Sequence, residues 1–425
     1  MINQESLDAV AGARMNEHFI RPLYADYGFM QIPQTVRRCL GLSGQGGVPF
    51  GGRADLYQTY DTVVLLFIDA FGWRFVEPYL ERSPFLRRIA EQGMVAKITS
   101  QFPSTTAAHV TAIHTGLPCG TSGVYEWFYY EPQLDAMIAP LLFSFAGDSE
   151  RDTLKRAGAR PAALYPAHTL YHDLKQHGVT STVFQHSAYA FSPYTKQVVD
   201  GAQLQAYRSL PEALVNMGHV LEQRQGPAYL FLYFDAIDTT CHRYGPESPH
   251  VAAEIELFLM AMERLLLPIL ERAPGRTLLL MTADHGQTAL DPATAIYINQ
   301  QAPAIIPMLR TDTQGRPLVP AGSCRDMFLY VRDEYLDEAQ AMLAAVLAGR
   351  AEARRTSELI AEGFFGTPTP SPAFLGRVGN LVLLPYANEA VWWFEANRFS
   401  QKHRGAHGGL TPDEMETVLL ALPFG

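Results

Sequence analysis

The chain has 425 residues, 48% hydrophobic and 18% charged, enough for a large core in one domain with insertions or in two, and this excludes a disordered or fibrous protein. A formal net charge of −10 argues against a stable nucleic-acid partner, because binding a phosphate backbone needs clustered Lys and Arg. With no basic-then-apolar N-terminal pattern and no long uncharged apolar run, the expectation is a cytoplasmic protein without a membrane span.

Residues 1–60 read as a helical, then irregular lead-in, and the Gly-rich run 41–52 as a flexible loop or lid. Residues 62–68, TVVLLFI, form an apolar run rich in β-branched side chains, which predicts a strand buried on both faces with Asp69 at its carboxyl end. Ser83-Pro84 opens a helix that closes at Gly93, and 94–99 read as the next strand. The stretch FPSTTAAHVTAIHTG follows, with Val110, Ile113 and His114 at helical spacing over 106–115. Its Ser and Thr hydroxyls therefore sit at a helix N-terminus, as caps or as a nucleophile facing an anion. Residues 117–225 read as an insertion mixed with returning core elements, carrying helices over 148–157, 168–177 and 211–224.

A second buried strand, YLFLYF at 229–234, runs into DAIDTTCHRYGP, where Asp238 and His242 are four apart and can share one face of a helical turn. A long helix is predicted over 249–272. Residues 276–282 then make a strand ending in Ala283-Asp284-His285-Gly286. Short strands at 294–299 and 326–331 and a helix over 334–347 suggest a small appended subdomain. The expected last core pieces are 378–384 and 391–394, then His407 between glycines and a final helix. Four separated cysteines, Cys39, Cys119, Cys241 and Cys324, show no C-x-x-C pairing, which predicts a reducing compartment rather than disulfides or a thiolate zinc site.

Strand tips and turns thus offer Asp69, a hydroxyl near Thr106, Asp238 with His242, Asp284 with His285, and His407. Three carboxylates and three imidazoles suit two divalent ions sharing one site, one activating a nucleophile and both steadying an in-line displacement at phosphorus. Mixed His/Asp ligation favours zinc, with manganese the competitor.

FIDAFG, FPSTT…HTG, DTTCHRYGP, TADHG and GAHGG resemble the motif series of the alkaline phosphatase superfamily, above all its type I phosphodiesterase/nucleotide pyrophosphatase branch. The resemblance spans about 62–125, 228–290 and 378–425. It implies an α/β fold with a doubly wound, mostly parallel sheet flanked by helices, formed by 61–292 and 378–425, with 293–377 as an inserted α+β subdomain. It also implies two zinc ions: one held by Asp238, His242 and His407, the other by Asp69, Asp284, His285 and the oxygen of a Thr nucleophile. The family's Pro-Ser-x-Thr spacing picks Thr106, with Thr105 the alternative. In one departure, 117–130 contain no Asn where the branch places one against a phosphoryl oxygen; Glu126-Trp127 stand there instead.

The function implied is hydrolysis of phosphodiester or pyrophosphate bonds in a small, nucleotide-type substrate through a phosphothreonine intermediate. Phosphomonoesterase, phosphonate hydrolase and phosphomutase are the alternatives within the superfamily; a catalytically silent binder of a phosphorylated ligand is the alternative outside it. Trp127 is the candidate for stacking on the substrate, and Arg243, beside His242, is the candidate cation. From Ile98 to Glu150 there is no Lys or Arg, which favours a monoanionic diester over a monoester dianion. His109 and His114 read as packing residues and Cys241 as a small filler. The sequence argues against a sulfatase, because that branch needs a modified Cys or Ser in a C-x-P-x-R setting and Cys119 is followed by GTSG. The oligomeric state is open.

Overall fold

The computed structural model describes the chain except Ser43, Gln45 and Pro368. The main sheet comprises β1 (Thr62–Ile68), β2 (Met94–Thr99), β3 (Thr180–His186), β4 (Gln203–Tyr207), β5 (Ala228–Phe234), β6 (Thr277–Thr282) and β7 (Glu416–Phe424). Their order across the sheet is β2-β7-β6-β1-β5-β3-β4. β1 is buried at every position, so both its faces need cover, and the period-2 alternation of a strand divides its side chains between them. Val63, Leu65 and Phe67 join the core under α1 (Ile32–Cys39) and α3 (Thr106–Thr115). Val64, Leu66 and Ile68 pack under α2 (Pro84–Gln92), α4 (Leu210–Gln223) and α6 (Pro249–Ala261).

β1 runs parallel to β5 and β6, and β3 runs parallel to β5 and β4. β7 is antiparallel to both β6 and β2, so six strands end at one edge of the sheet and β7 starts there. This is the mostly parallel, helix-flanked α/β sheet expected from the sequence. The expected lead-in is built into it: Phe29, Val36, Val48 and Phe50 are buried in the same core as Phe67. Ser43 and Gln45 of the Gly-rich run lie outside the described residues.

Several local expectations need correction. The expected final helix is one short turn, Pro412–Met415, followed by β7, whose run ETVLLALPF is held between two strands and carries a proline that a helix would not tolerate. The expected core strand at 378–384 is Leu381–Pro385, the middle strand of a small antiparallel sheet between Met327–Leu329 and Ala351–Arg355. The other expected core piece, 391–394, contributes Val391–Trp392, which pairs with Ile296–Tyr297. The helix expected over 148–157 is a 3-10 turn, Thr153–Ala157, flanked by left-handed Asp152 and Gly158. The long helix expected over 249–272 widens into a π turn at Met262–Leu266, directly before Pro268, which has no N–H to continue the regular ladder.

Candidate active site

Strand register brings the acidic residues together. Ile68 of β1 lies opposite Phe234 of β5, and Phe67 lies opposite Thr282 of β6, so Asp69 and Asp284 leave the same edge beside the start of α5 (Ala236–Tyr244). In open parallel sheets this carboxyl edge is where ligands collect. One helical turn places Asp238 and His242 on one face of α5, with Asp238 Oδ2 3.3 Å from His242 Nε2. His407 reaches the same edge from the segment leading into β7, and its Nε2 is 3.7 Å from Asp238 Oδ1. His285 Nε2 lies 3.1 Å from Asp284 Oδ2 and 3.6 Å from Asp69 Oδ1, and its ring stacks on that of His407 at 3.6 Å. Gly286 has to be glycine, because a Cβ there would sit 2.2 Å from the Asp413 carbonyl oxygen.

The hydrogen bonds behind the imidazoles fix which nitrogen faces the cluster. His242 Nδ1 lies 2.8 Å from the Gly405 carbonyl, His285 Nδ1 3.0 Å from Gly286 and His407 Nδ1 2.9 Å from Ser104. Carbonyls only accept, so each Nδ1 carries a hydrogen and, wherever the ring is neutral, Nε2 turns a lone pair toward the carboxylates; at His285 burial opposes protonation, but Asp284 outweighs it and raises the pKa above the ordinary histidine value. Lone pairs facing carboxylate oxygens repel unless a positive charge lies between them. For His407 that charge is not a proton on the ring itself, because burial, then His285 and His242, hold its pKa well below the ordinary histidine value.

The carboxylates make the same point. Burial and the neighbouring Asp284 and Asp238 push Asp69 well above the usual carboxylate range. Among the described residues, Asp69 Oδ1 and Asp284 Oδ2 are buried without a hydrogen-bond partner. Their other oxygens are held: Asp69 by the Tyr233 hydroxyl, and Asp284 by the backbone N–H groups of Ala70 and His285, both at 3.0 Å. Gln287 Nε2 donates to Asp238. An uncompensated buried charge costs several kcal/mol, so this arrangement suits cations rather than empty space. Two sets of donor atoms, each within 4.8 Å of one another, could hold them: Asp69, Asp284 and His285, and Asp238, His285 and His407. His285 stands in both sets, and His242 adjoins the second through Asp238.

Thr106 is the first residue of α3, and its Oγ1 lies 3.3 Å from His285 Nε2. A capping role does not account for the two threonines: Thr105 occupies the cap position, yet its side chain makes no cap hydrogen bond. The turn is held from behind by His109, whose Nδ1 donates to the Thr105 carbonyl at 2.7 Å while its Nε2 accepts from the Gln101 N–H at 3.1 Å and from Ser100 Oγ at 2.8 Å. Burial lowers the His109 pKa to about 4, which keeps this single neutral tautomer. His114 is likewise buried, against the Tyr171 hydroxyl at 2.7 Å. Glu126, where the branch has an Asn, is buried beside Thr105 and Asp326 in the wall of the larger of two cavities at the site, and burial pushes its carboxyl up to about 7.

Two cavities meet at Thr106, Trp127, Leu142 and Asp238. One, of about 210 Å³, continues past Asp69 to Gln185, Tyr189 and Tyr194, with Arg151 also on its wall. The other, of about 530 Å³, continues past His242 and His407 toward the small sheet. Trp127 thus stands where stacking was expected. Arg243 does not: it is exposed, its guanidinium lies over the Tyr244 ring at 5.1 Å, and it lines neither cavity. The cation that does line the smaller cavity, Arg151, is the residue immediately after the cation-free run 98–150. Tyr233, Gln287 and the carbonyls behind the histidines carried no sequence signal beyond being near the motifs.

The sequence model of the type I phosphodiesterase / nucleotide pyrophosphatase family matches residues 63–410. The chain belongs to this family. Among curated relatives, the venom phosphodiesterase of Naja atra is 22% identical over 242 residues, 54% of this chain and 26% of that protein. Venom phosphodiesterase 2 of Crotalus adamanteus is 23% identical over 238 residues, 53% of this chain and 26% of that protein. The chain therefore spans about a quarter of the length of these relatives. Among solved structures, murine ectonucleotide pyrophosphatase/phosphodiesterase 5 superposes with a TM-score of 0.62 at 17% identity, covering 85% of this chain and 88% of that one. Phosphonoacetate hydrolase from Sinorhizobium meliloti 1021, in complex with phosphonoacetate, gives 0.59 at 17% identity, covering 84% and 89%. These likenesses show that the chain shares the fold of those two proteins. Among the described residues, no helix is long and apolar enough to cross a membrane, and all four cysteines are buried and free.

Proposed function

We propose that this family member hydrolyses phosphodiester or pyrophosphate bonds of small, nucleotide-type substrates, with Thr106 as the attacking group. The observation that carries the reading is the Thr106 hydroxyl, which opens a ten-residue helix 3.3 Å from His285 Nε2 where two cavities meet. Two divalent ions fit the donor set, zinc before manganese, one at Asp69, Asp284 and His285, the other at Asp238, His242 and His407. Bound there, they would supply positive charge that favours the alkoxide and neutralises phosphoryl oxygens.

The chain's own residues do the rest. The N-terminal N–H groups of α3 and its dipole favour an anionic group beside Thr106. His109 fixes the turn that aims Thr106, while Tyr233 and Gln287 hold Asp69 and Asp238 in place. Burial of Asp69, Asp284 and His285 keeps bulk water from their inner faces. Trp127, Tyr189 and Tyr194 offer flat apolar surface to an aromatic substituent. A related solved structure, an inactive threonine-to-alanine form of murine ectonucleotide pyrophosphatase/phosphodiesterase 5 in complex with AMP, supports both the threonine and the nucleotide class. The test is catalytic efficiency of zinc-loaded protein on matched aryl diester and monoester substrates at one pH. A clear preference for the diester is expected, and a preference for the monoester would turn the reading to a phosphatase or mutase.

A further inference from the structure

A diester carries two substituents on phosphorus, and this site has a separate cavity on each side of the attacking group. Both cavities include Thr106, Trp127, Leu142 and Asp238, so a phosphoryl group seated at Thr106 faces both at once. Beyond these shared residues their walls differ: the smaller passes Asp69 and Tyr233, and the larger passes His242 and His407. We propose that the larger cavity is a second substituent subsite, which takes a flat aromatic group, an aryl or nucleobase-bearing alcohol, on the other half of the diester. This rests on the functional reading above and adds the class of the second substituent.

The walls carry the assignment. Phe128 lies roughly parallel to Trp392, with centroids 6.4 Å apart at 29°, and meets Phe399 edge-on at 5.9 Å and 78°. Trp127, at the shared mouth, is 38% exposed, so part of its ring is open to a substituent. Phe128, Trp392 and Phe399 pack on one another as one aromatic wall, and the cavity beside them depends on a missing side chain: Gly147 lines it, and a Cβ there would sit 2.8 Å from Phe399 Cζ and 2.5 Å from Arg398 Nε. Arg398 and Asp148 also line it and offer polar atoms to the edge of a polar ring, which an alkyl chain would leave unmet, whereas the Gln401 amide is already engaged with Cys324, His403 and the Lys402 N–H. The cavity draws on two parts of the fold, with Phe128 and Gly147 from the insertion after α3 and Trp392 and Phe399 from the segment beyond the small sheet.

The test uses zinc-loaded Thr106→Ala protein, so that binding is read without turnover, and compares by calorimetry a methyl aryl, an octyl aryl and a bis-aryl phosphodiester. The bis-aryl compound is expected to bind at least tenfold more tightly than the methyl aryl one, with the octyl compound between them. Adding Phe399→Ala should cut the bis-aryl advantage to under threefold. Equal affinity for methyl and bis-aryl compounds overturns the subsite, and tighter binding of the octyl compound overturns its aromatic class. Failure of the functional reading looks different: unmodified protein would turn over none of the three diesters, whatever their affinities.

Discussion

At the carboxyl edge of the main sheet, Asp69, Asp238, Asp284 and His285 each follow the end of a buried strand by four residues or fewer, whereas the small sheet is assembled from Met327–Leu329, Ala351–Arg355 and Leu381–Pro385, none of which carries a candidate ligand. At the edge, parallel register alone brings Asp69, Asp238, Asp284 and His285 together, and a local motif therefore predicts a spatial cluster. In the small sheet, pairing is set by which apolar face finds which. Leu381–Pro385 is as apolar and buried as a main-sheet strand, yet lies between two antiparallel partners elsewhere. The two regions are tied by Arg325, whose guanidinium donates to Glu414, while Glu414 in turn accepts from the Gly409 N–H at 3.0 Å behind His407.

The largest expected effect is at the edge. Thr106→Ala should lower kcat by about a thousandfold or more, while Thr105→Ala should stay within about tenfold, because the proposal assigns the attack to the Thr106 oxygen alone. Steady-state kinetics on an aryl diester decides it, and reversed magnitudes would move the role to Thr105. Chelation comes next: it should abolish turnover, zinc should restore it, and amide exchange should rise at the turns after β1, β5 and β6 but not in the small sheet. Uniform loosening of both regions would show that the metal cluster is not a local device of the edge.

The link between the regions can be cut. Arg325 and Glu414 are both fully buried, so Arg325→Met leaves a buried carboxylate unpaired and should cost about 3–5 kcal/mol in urea unfolding, with Glu414→Gln on top recovering much of it. Additive losses in the double variant would contradict this. A smaller effect is expected at Glu126. Burial raises its carboxyl from 4.5 to about 7 in the folded chain, and its neighbours are Asp326, Thr105, the Trp127 N–H and His285. A raised folded pKa means that stability is full below about 4.5 and is lost as pH rises through about 7, by roughly 3 kcal/mol for this shift. Glu126→Gln should flatten that slope in metal-free protein; an unchanged slope would place the titration elsewhere.

What was legible in the sequence follows from the same contrast. α3 spans the residues its spacing predicts, and Ser83 and Ser248 cap their helices through their side chains, because these signals are local. β3 and β4 do not stand out from the insertion because TSTVFQH and QLQAY, at the far side of the sheet, are interrupted by polar residues and lack the continuous apolar run of β1. β7 was misread because an apolar run alone does not separate a buried strand from a helix, and Pro423 was the discriminating residue. The cavity walls carry no local signal: Arg151 stands one residue past the cation-free run 98–150, and Trp392 and Phe399, far from every motif strand, join the larger cavity only in the folded chain.

The central claim, attack by the Thr106 oxygen, is tested most directly by acid-quenching zinc-loaded protein during turnover of an aryl diester and mapping the phosphoryl adduct by peptide mass spectrometry. The account predicts an adduct on Thr106, lost in Thr106→Ala and retained in Thr105→Ala. Turnover with no adduct on the 102–116 segment, or an adduct on Thr105, would contradict it.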